Sequence, residues 1–333
     1  MIKINLHARA KDEPQKWIFT LTLFLVALLV GTLSQAREAF IHDGEIAGPD
    51  EYPAVFSIKM SSRGIGADGY EGSCTGFLVH PKLLLTAAHC LQGHSDIDAL
   101  TNAVDANSGR DARKFKSAEV GSNPDFVLPS RDRTDEQNAA SAANDIGYIV
   151  LKEEVTDITP ALVYPESNIP SMNKLFNLDA VLVGYGAEKW VPGGNFENAK
   201  VGVKHVGKKP VSGVNVGYIT LDGEKGASLP GDSGGPIFAV VDGVTKVIAL
   251  NHALSPTTKT VPKMKNGQVK TDGKGKPETK QIRLSDFGTT VGTMMTKKNL
   301  CWVVAQSGIA IPGVDCTPEA KAAPAATPPG GAK

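Results

Sequence analysis

From Ile41 onward the chain is broken into short apolar runs by Gly, Pro and Asn, and this punctuation restricts the fold more than any other feature. Residues 55–60, 76–79, 83–86, 147–151, 180–183, 217–221, 237–241 and 247–250 are of strand length and rich in aliphatic side chains. Runs of this length with turn residues between them build a sandwich or a barrel, whereas βαβ repeats need amphipathic helices between strands. The 35 Gly and 21 Pro exceed what a helical bundle would carry, so an all-β or mixed architecture with many turns is expected. Charge is balanced at 35 basic and 35 acidic residues, so the whole chain has no net attraction for nucleic acid or an anionic membrane. No nucleic-acid partner is expected, and the chain should be a monomer.

The first residues read as a targeting segment. Lys3, Arg9, Lys11 and Lys16 precede an apolar-leaning run over 17–30, and Ser34-Gln35-Ala36 follow it. A basic leader, a short apolar core and a small-residue exit describe a secretory signal cleaved after Ala36. The run falls short of the roughly 20 residues of a membrane span, although an uncleaved anchor is the alternative. Export would make the protein secreted or periplasmic, where cysteine pairs form and persist.

Two stretches read as long surface loops. Residues 121–144 are polar and interrupted by Pro124 and Pro129. Residues 257–283 carry eight basic residues against Asp272 and Glu278, either a solvated insertion or a patch for an acidic partner. A short helix over 300–306 should close the domain. Residues 317–333, mostly Ala, Pro and Gly, are expected to form a disordered tail.

Three strings carry chemistry. Leu85-Thr86-Ala87-Ala88-His89-Cys90 takes a strand end into small residues and a histidine. Asn144-Asp145-Ile146-Gly147 places an acid ahead of an apolar strand. Gly231-Asp232-Ser233-Gly234-Gly235-Pro236 flanks a serine with glycines, which leaves its hydroxyl unobstructed and the neighbouring N–H groups approachable. Each has a bland reading alone: one of seven histidines, ordinary turn chemistry, a tight turn.

In the order His, Asp, Ser these strings resemble the chymotrypsin-like (trypsin-like) serine protease family, over roughly residues 41–307. Val183-Gly184-Tyr185-Gly186 is similar to that family's Gly-aromatic-Gly strand. The resemblance implies an all-β fold of two six-stranded antiparallel β-barrels with a short C-terminal helix. The site would lie in the cleft between them, a protease domain would span 41–316, and the substrate would be a protein or peptide. Ser233 would be the nucleophile, His89 its base and Asp145 the residue that orients the imidazole. The N–H groups of Gly231 and Ser233 would form the oxyanion hole. No cofactor or metal is implied, and no Cys-x-x-Cys or paired-His spacing suggests one. An α/β-hydrolase elbow, Gly-x-Ser-x-Gly, also fits the serine string. That fold needs Ser, acid, then His along the chain, and only His252, 19 residues on, follows Ser233. A protease-like binding protein with a silent cleft is the other alternative.

Four cysteines allow three connectivities. The resemblance implies a Cys74–Cys90 bridge beside His89, and with it, on sequence proximity, Cys301–Cys316. It also implies activation by a cut that frees Ile41, whose ammonium would pair with Asp232. Residues 37–40 would then be a pro-segment cleaved after Phe40, by the protease itself if its pocket accepts Phe. The residue six before the serine, at the base of the family's primary pocket, is Ala227, a poor partner for Arg or Lys. On the opposite wall Leu250 or Asn251 falls where the family has a serine that supports the aspartate.

Overall fold

The computed structural model describes residues 41, 44–61, 71–93, 96–101, 103–108, 113–130, 132–166, 168–187, 201–223, 225–265 and 268–317. The expected signal peptide, the pro-segment and residues 318–333 of the expected tail lie outside these. The strands are β1 (Glu45–Ile46), β2 (Val55–Ser61), β3 (Glu71–His80), β4 (Leu83–Thr86), β5 (Asp96–Thr101), β6 (Lys114–Ser122), β7 (Gly147–Leu151) and β8 (Asp179–Gly184). They continue with β9 (His205–Pro210), β10 (Gly213–Asn215), β11 (Tyr218–Leu221), β12 (Pro236–Val241), β13 (Val244–Pro262), β14 (Met264–Lys265), β15 (Gln268–Val269) and β16 (Thr279–Met294). Helices α1 (Asp135–Asn144), α2 (Ile169–Asn173) and α3 (Lys297–Ser307) complete the set, with a 3-10 turn at Ala88–Cys90.

Strands β2, β3, β4, β7, β6 and β5 close into an antiparallel barrel in that order. Its central strands are apolar on both faces because both are covered. Leu83, Leu84 and Leu85 of β4 are all fully buried, and β4 pairs with the equally apolar β7 from Leu83↔Val150 to Thr86↔Gly147. The second unit is an eight-stranded antiparallel sheet in the order β1-β9-β8-β12-β13-β16-β11-β10. Around a core of Leu182, Ile219, Leu221, Ile237, Ile248 and Met294 it forms a second β layer, with β1 and β10 as its edges. Among the described residues this half of the fold is therefore wider than six strands, with an open ladder.

Residues 121–144 contain more than a loop. Helix α1 begins at a capping box in which the Gln137 N–H donates to Thr134 Oγ1 and the Thr134 N–H donates to Gln137 Oε1. Its last carbonyls are capped from elsewhere: Asn299 Nδ2 donates to Ala143 O at 2.8 Å and Thr293 Oγ1 to Ala142 O at 2.6 Å. Residues from α3 and β16 thus fix where α1 ends, one residue before Asp145.

Residues 257–283 are likewise structured. β13 and β16 pair in register from Ala249↔Met294 out to Pro262↔Thr279, a long hairpin tipped by the β14–β15 pair. The threonines at 257, 258 and 260 are good strand formers without being apolar, so a search for apolar runs passes over them. At its tip Glu278 takes Lys263 and Lys270 as partners. Helix α3 runs further in both directions than expected, capped by Thr296 and ended by Gly308 at φ 67°.

Candidate active site

Four separate stretches of chain meet where the barrel abuts the second sheet. His89 sits on the 3-10 turn that follows β4, Asp145 at the end of α1, Ser233 in the loop before β12, and His252 on β13. The disulfide Cys74–Cys90 ties the His89 turn to β3, and Cys301–Cys316 links α3 to the segment after it.

Asp145 is completely buried, and its oxygens are filled by donors. Oδ1 accepts the His89 backbone N–H at 2.9 Å. Oδ2 lies 2.7 Å from His89 Nδ1 and 2.5 Å from His252 Nδ1. Burial pushes the carboxyl up, but the hydrogen bonds from His252 and His89, and their charges, outweigh it and hold the group at about 2. A carboxylate at a helix C-terminus opposes the helix dipole, so these donors also offset that cost.

The sequence reading did not assign His252 to this acid. Leu250, expected on the pocket wall, is fully buried within the core cluster. Asn251 is held through its backbone: its carbonyl accepts from Gly234 N and its N–H donates to Gly235 O. The register slips between Asn251 and Ala253, and at this irregularity His252 reaches Asp145. Counting along a regular strand cannot find such a residue. Its signal was available in another form, as the one histidine after Ser233.

The serine loop is clamped to the barrel by Thr75. The Thr75 N–H donates to Ser233 O at 2.8 Å, and its hydroxyl donates to Gly231 O at 2.9 Å while accepting from Tyr185 N at 3.0 Å. Gly231 has φ 99°, and a Cβ there would lie 2.8 Å from Gly186 Cα, so the turn needs glycine twice over. Within the loop Asp232, Gly234 and Gly235 donate their N–H groups to protein carbonyls. Among the described residues the N–H groups of Gly231 and Ser233 have no acceptor, nor does the half-buried Ser233 hydroxyl make a hydrogen bond.

Asp232 points away from the cleft into the protein. Its Oδ1 accepts from Gly186 N and its Oδ2 from Leu229 N, each at 2.8 Å. Among the described residues no cation accompanies it, and burial pushes its carboxyl up to about 7 against the pull of those two N–H groups. Ile41 is buried in the second sheet's core, with its side chain against Gly207. Ala227 is also fully buried, and Ser228 beside it donates its N–H to Thr290 Oγ1.

His89, Asp145 and His252 present donor atoms within 4.8 Å of one another. The two nitrogens reach the same carboxylate oxygen at hydrogen-bond length, closer than the roughly 3.3 Å between neighbouring ligands on tetrahedral zinc. As arranged, this is a proton-sharing cluster.

A β-barrel joined to a second antiparallel sheet, with an imidazole–carboxylate pair beside a glycine-rich serine loop, is the construction of the chymotrypsin-like fold. The chain belongs to the trypsin family of serine proteases, whose profile, Trypsin, matches residues 41–263. It is 25% identical over 134 residues to Kallikrein-4 of Homo sapiens, which covers 40% of this chain and 45% of the kallikrein. The matched stretch is thus less than half of that relative. A solved structure described as HL collagenase, at 18% identity, superposes with a TM-score of 0.51 over 80% of this chain and 99% of its own. At that identity the likeness speaks for the fold.

Proposed function

We propose that this chain is an exported serine endopeptidase acting through Ser233, His89 and Asp145 on protein or peptide substrates. The observation that carries the reading is the His89–Asp145 pair, set beside a serine loop whose two unengaged N–H groups belong to Gly231 and Ser233. In this chemistry Ser233 Oγ bonds to the substrate carbonyl carbon as its proton passes to His89 Nε2. Asp145 holds the imidazolium, and the Gly231 and Ser233 N–H groups take the charge that develops on the carbonyl oxygen. The tetrahedral adduct expels the amine, which leaves with the proton from His89. Water then repeats the sequence on the acyl-serine and frees the acid.

Asp232 supports activation at Ile41. A buried carboxyl that among the described residues has two backbone donors and no cation is a site for one, and the ammonium freed by a cut after Phe40 supplies it. Ala227, an apolar residue at the pocket base, argues against cleavage after Arg or Lys. Both disulfides fit an oxidising compartment outside the cytoplasm. The basic hairpin offers its lysines to an acidic partner.

Intact mass before and after treatment with a fluorophosphonate, with Ser233→Ala as control, tests the reading. A single adduct on a species beginning at Ile41 and absent from the variant is expected. An unlabelled protein that already begins at Ile41 would overturn it.

A further inference from the structure

His252 has no part in the proposed chemistry, yet it makes one of the shortest contacts in the site. A carboxylate held at about 2 is ionised at neutral pH and can only accept hydrogen bonds. Each imidazole must therefore present an N–H to Asp145 Oδ2, so the same acid holds both rings in the Nδ1–H tautomer. The rings lie 6.1 Å apart, edge to face, and Phe126 stands 6.3 Å from each. His252 is 6% exposed and His89 24%. His252 contacts two titratable groups, Asp145 and His89. Phe126 and the β16 residues paired with its neighbours, Val291 and Gly292, carry no charge.

We infer that His252 is a positioning residue of the site, a second imidazole that fixes the Asp145 carboxylate and shares its charge with His89. The inference rests on the triad reading above. The extra donor limits rotation of the carboxylate and so keeps His89 in the tautomer that leaves Nε2 free to accept a proton.

The test compares kcat and KM on a peptide substrate for the wild type, His252→Ala and His252→Asn. Asparagine supplies an N–H to the carboxylate in place of the imidazole. His252→Ala should lower kcat about 10–100-fold, the scale of a lost hydrogen bond to a charged group, with KM nearly unchanged. His252→Asn should recover most of kcat. Nitrogen NMR of the imidazoles in Ser233→Ala protein reads the same claim without activity or the alanine variant. Both rings should carry the proton on Nδ1 at neutral pH. An unprotonated His252 Nδ1, or a His252→Ala enzyme with unchanged kcat, would overturn the inference. Failure of the triad reading alone would appear as an inert enzyme whose two imidazoles both still carry the proton on Nδ1.

Discussion

Asp145 and Asp232 lie at the same depth, 0% and 3% exposed, and their carboxyls are driven to opposite ends of the range. Asp145 sits at about 2 and Asp232 at about 7. Desolvation raises both, so burial does not separate them. Two imidazoles face Asp145, whereas among the described residues Asp232 receives the N–H groups of Gly186 and Leu229 alone. A buried acid is thus finished or unfinished according to its partners. Asp145 already has its counter-groups, and Asp232 waits for a charge that the described residues do not bring to it.

Breaking the finished end should have the largest effect. Asp145→Asn leaves the shape but loses the charge that sets the His89 tautomer. Turnover should fall by about 10⁴ when hydrolysis of a peptide substrate is followed, the scale of losing the orienting carboxylate of a Ser-His-Asp triad. Next comes the covalent tie behind His89. Replacing Cys74 and Cys90 together by alanine opens a link between residues 16 apart and should cost about 3 kcal/mol in a urea titration. A smaller loss is expected on the Asp232 side. A methyl at Gly186 would come 2.5 Å from the Asp232 Cγ and 2.7 Å from its backbone nitrogen, so Gly186→Ala should destabilise by about 1–3 kcal/mol.

The gentlest probe is pH, and the two acids carry opposite signs. Asp145 is depressed, so its contribution is present above the unfolded value of about 3.9 and is lost as pH falls toward 2. Asp232 is raised. Between about pH 4 and 7 the unfolded acid has lost a proton that the folded one keeps, so stability declines as pH rises through that window. Urea midpoints of Ser233→Ala protein that retains residues 37–40 should show this decline, and a chain beginning at Ile41 should lack it. Identical pH profiles for the two forms would remove Asp232 as the receiver of the new terminus.

The site was legible in unequal measure. Eight strand cores stood out because they are apolar runs, and each lies within or largely over an observed strand. β6 escaped because charged residues line its open face, as Lys114, Lys116 and Glu119 do. Helix α1 had a readable start in Thr134 and Gln137, masked by the prolines upstream. Its end was not readable, because Asn299 and Thr293, more than 150 positions away, supply the caps.

Sequence alone determined the chemistry on offer: a histidine after small residues, an acid before a strand, a serine between glycines, and cysteines enough for two bridges. Those are local properties, since a motif is legible where neighbours in sequence are neighbours in space. Only the tertiary structure decided that β13 slips its register beside Asn251 and turns His252, not Leu250, onto Asp145. It alone left Asp232 without a cation among the described residues. Both outcomes depend on which groups meet across the junction of two β layers, and burial there gives each meeting its electrostatic weight.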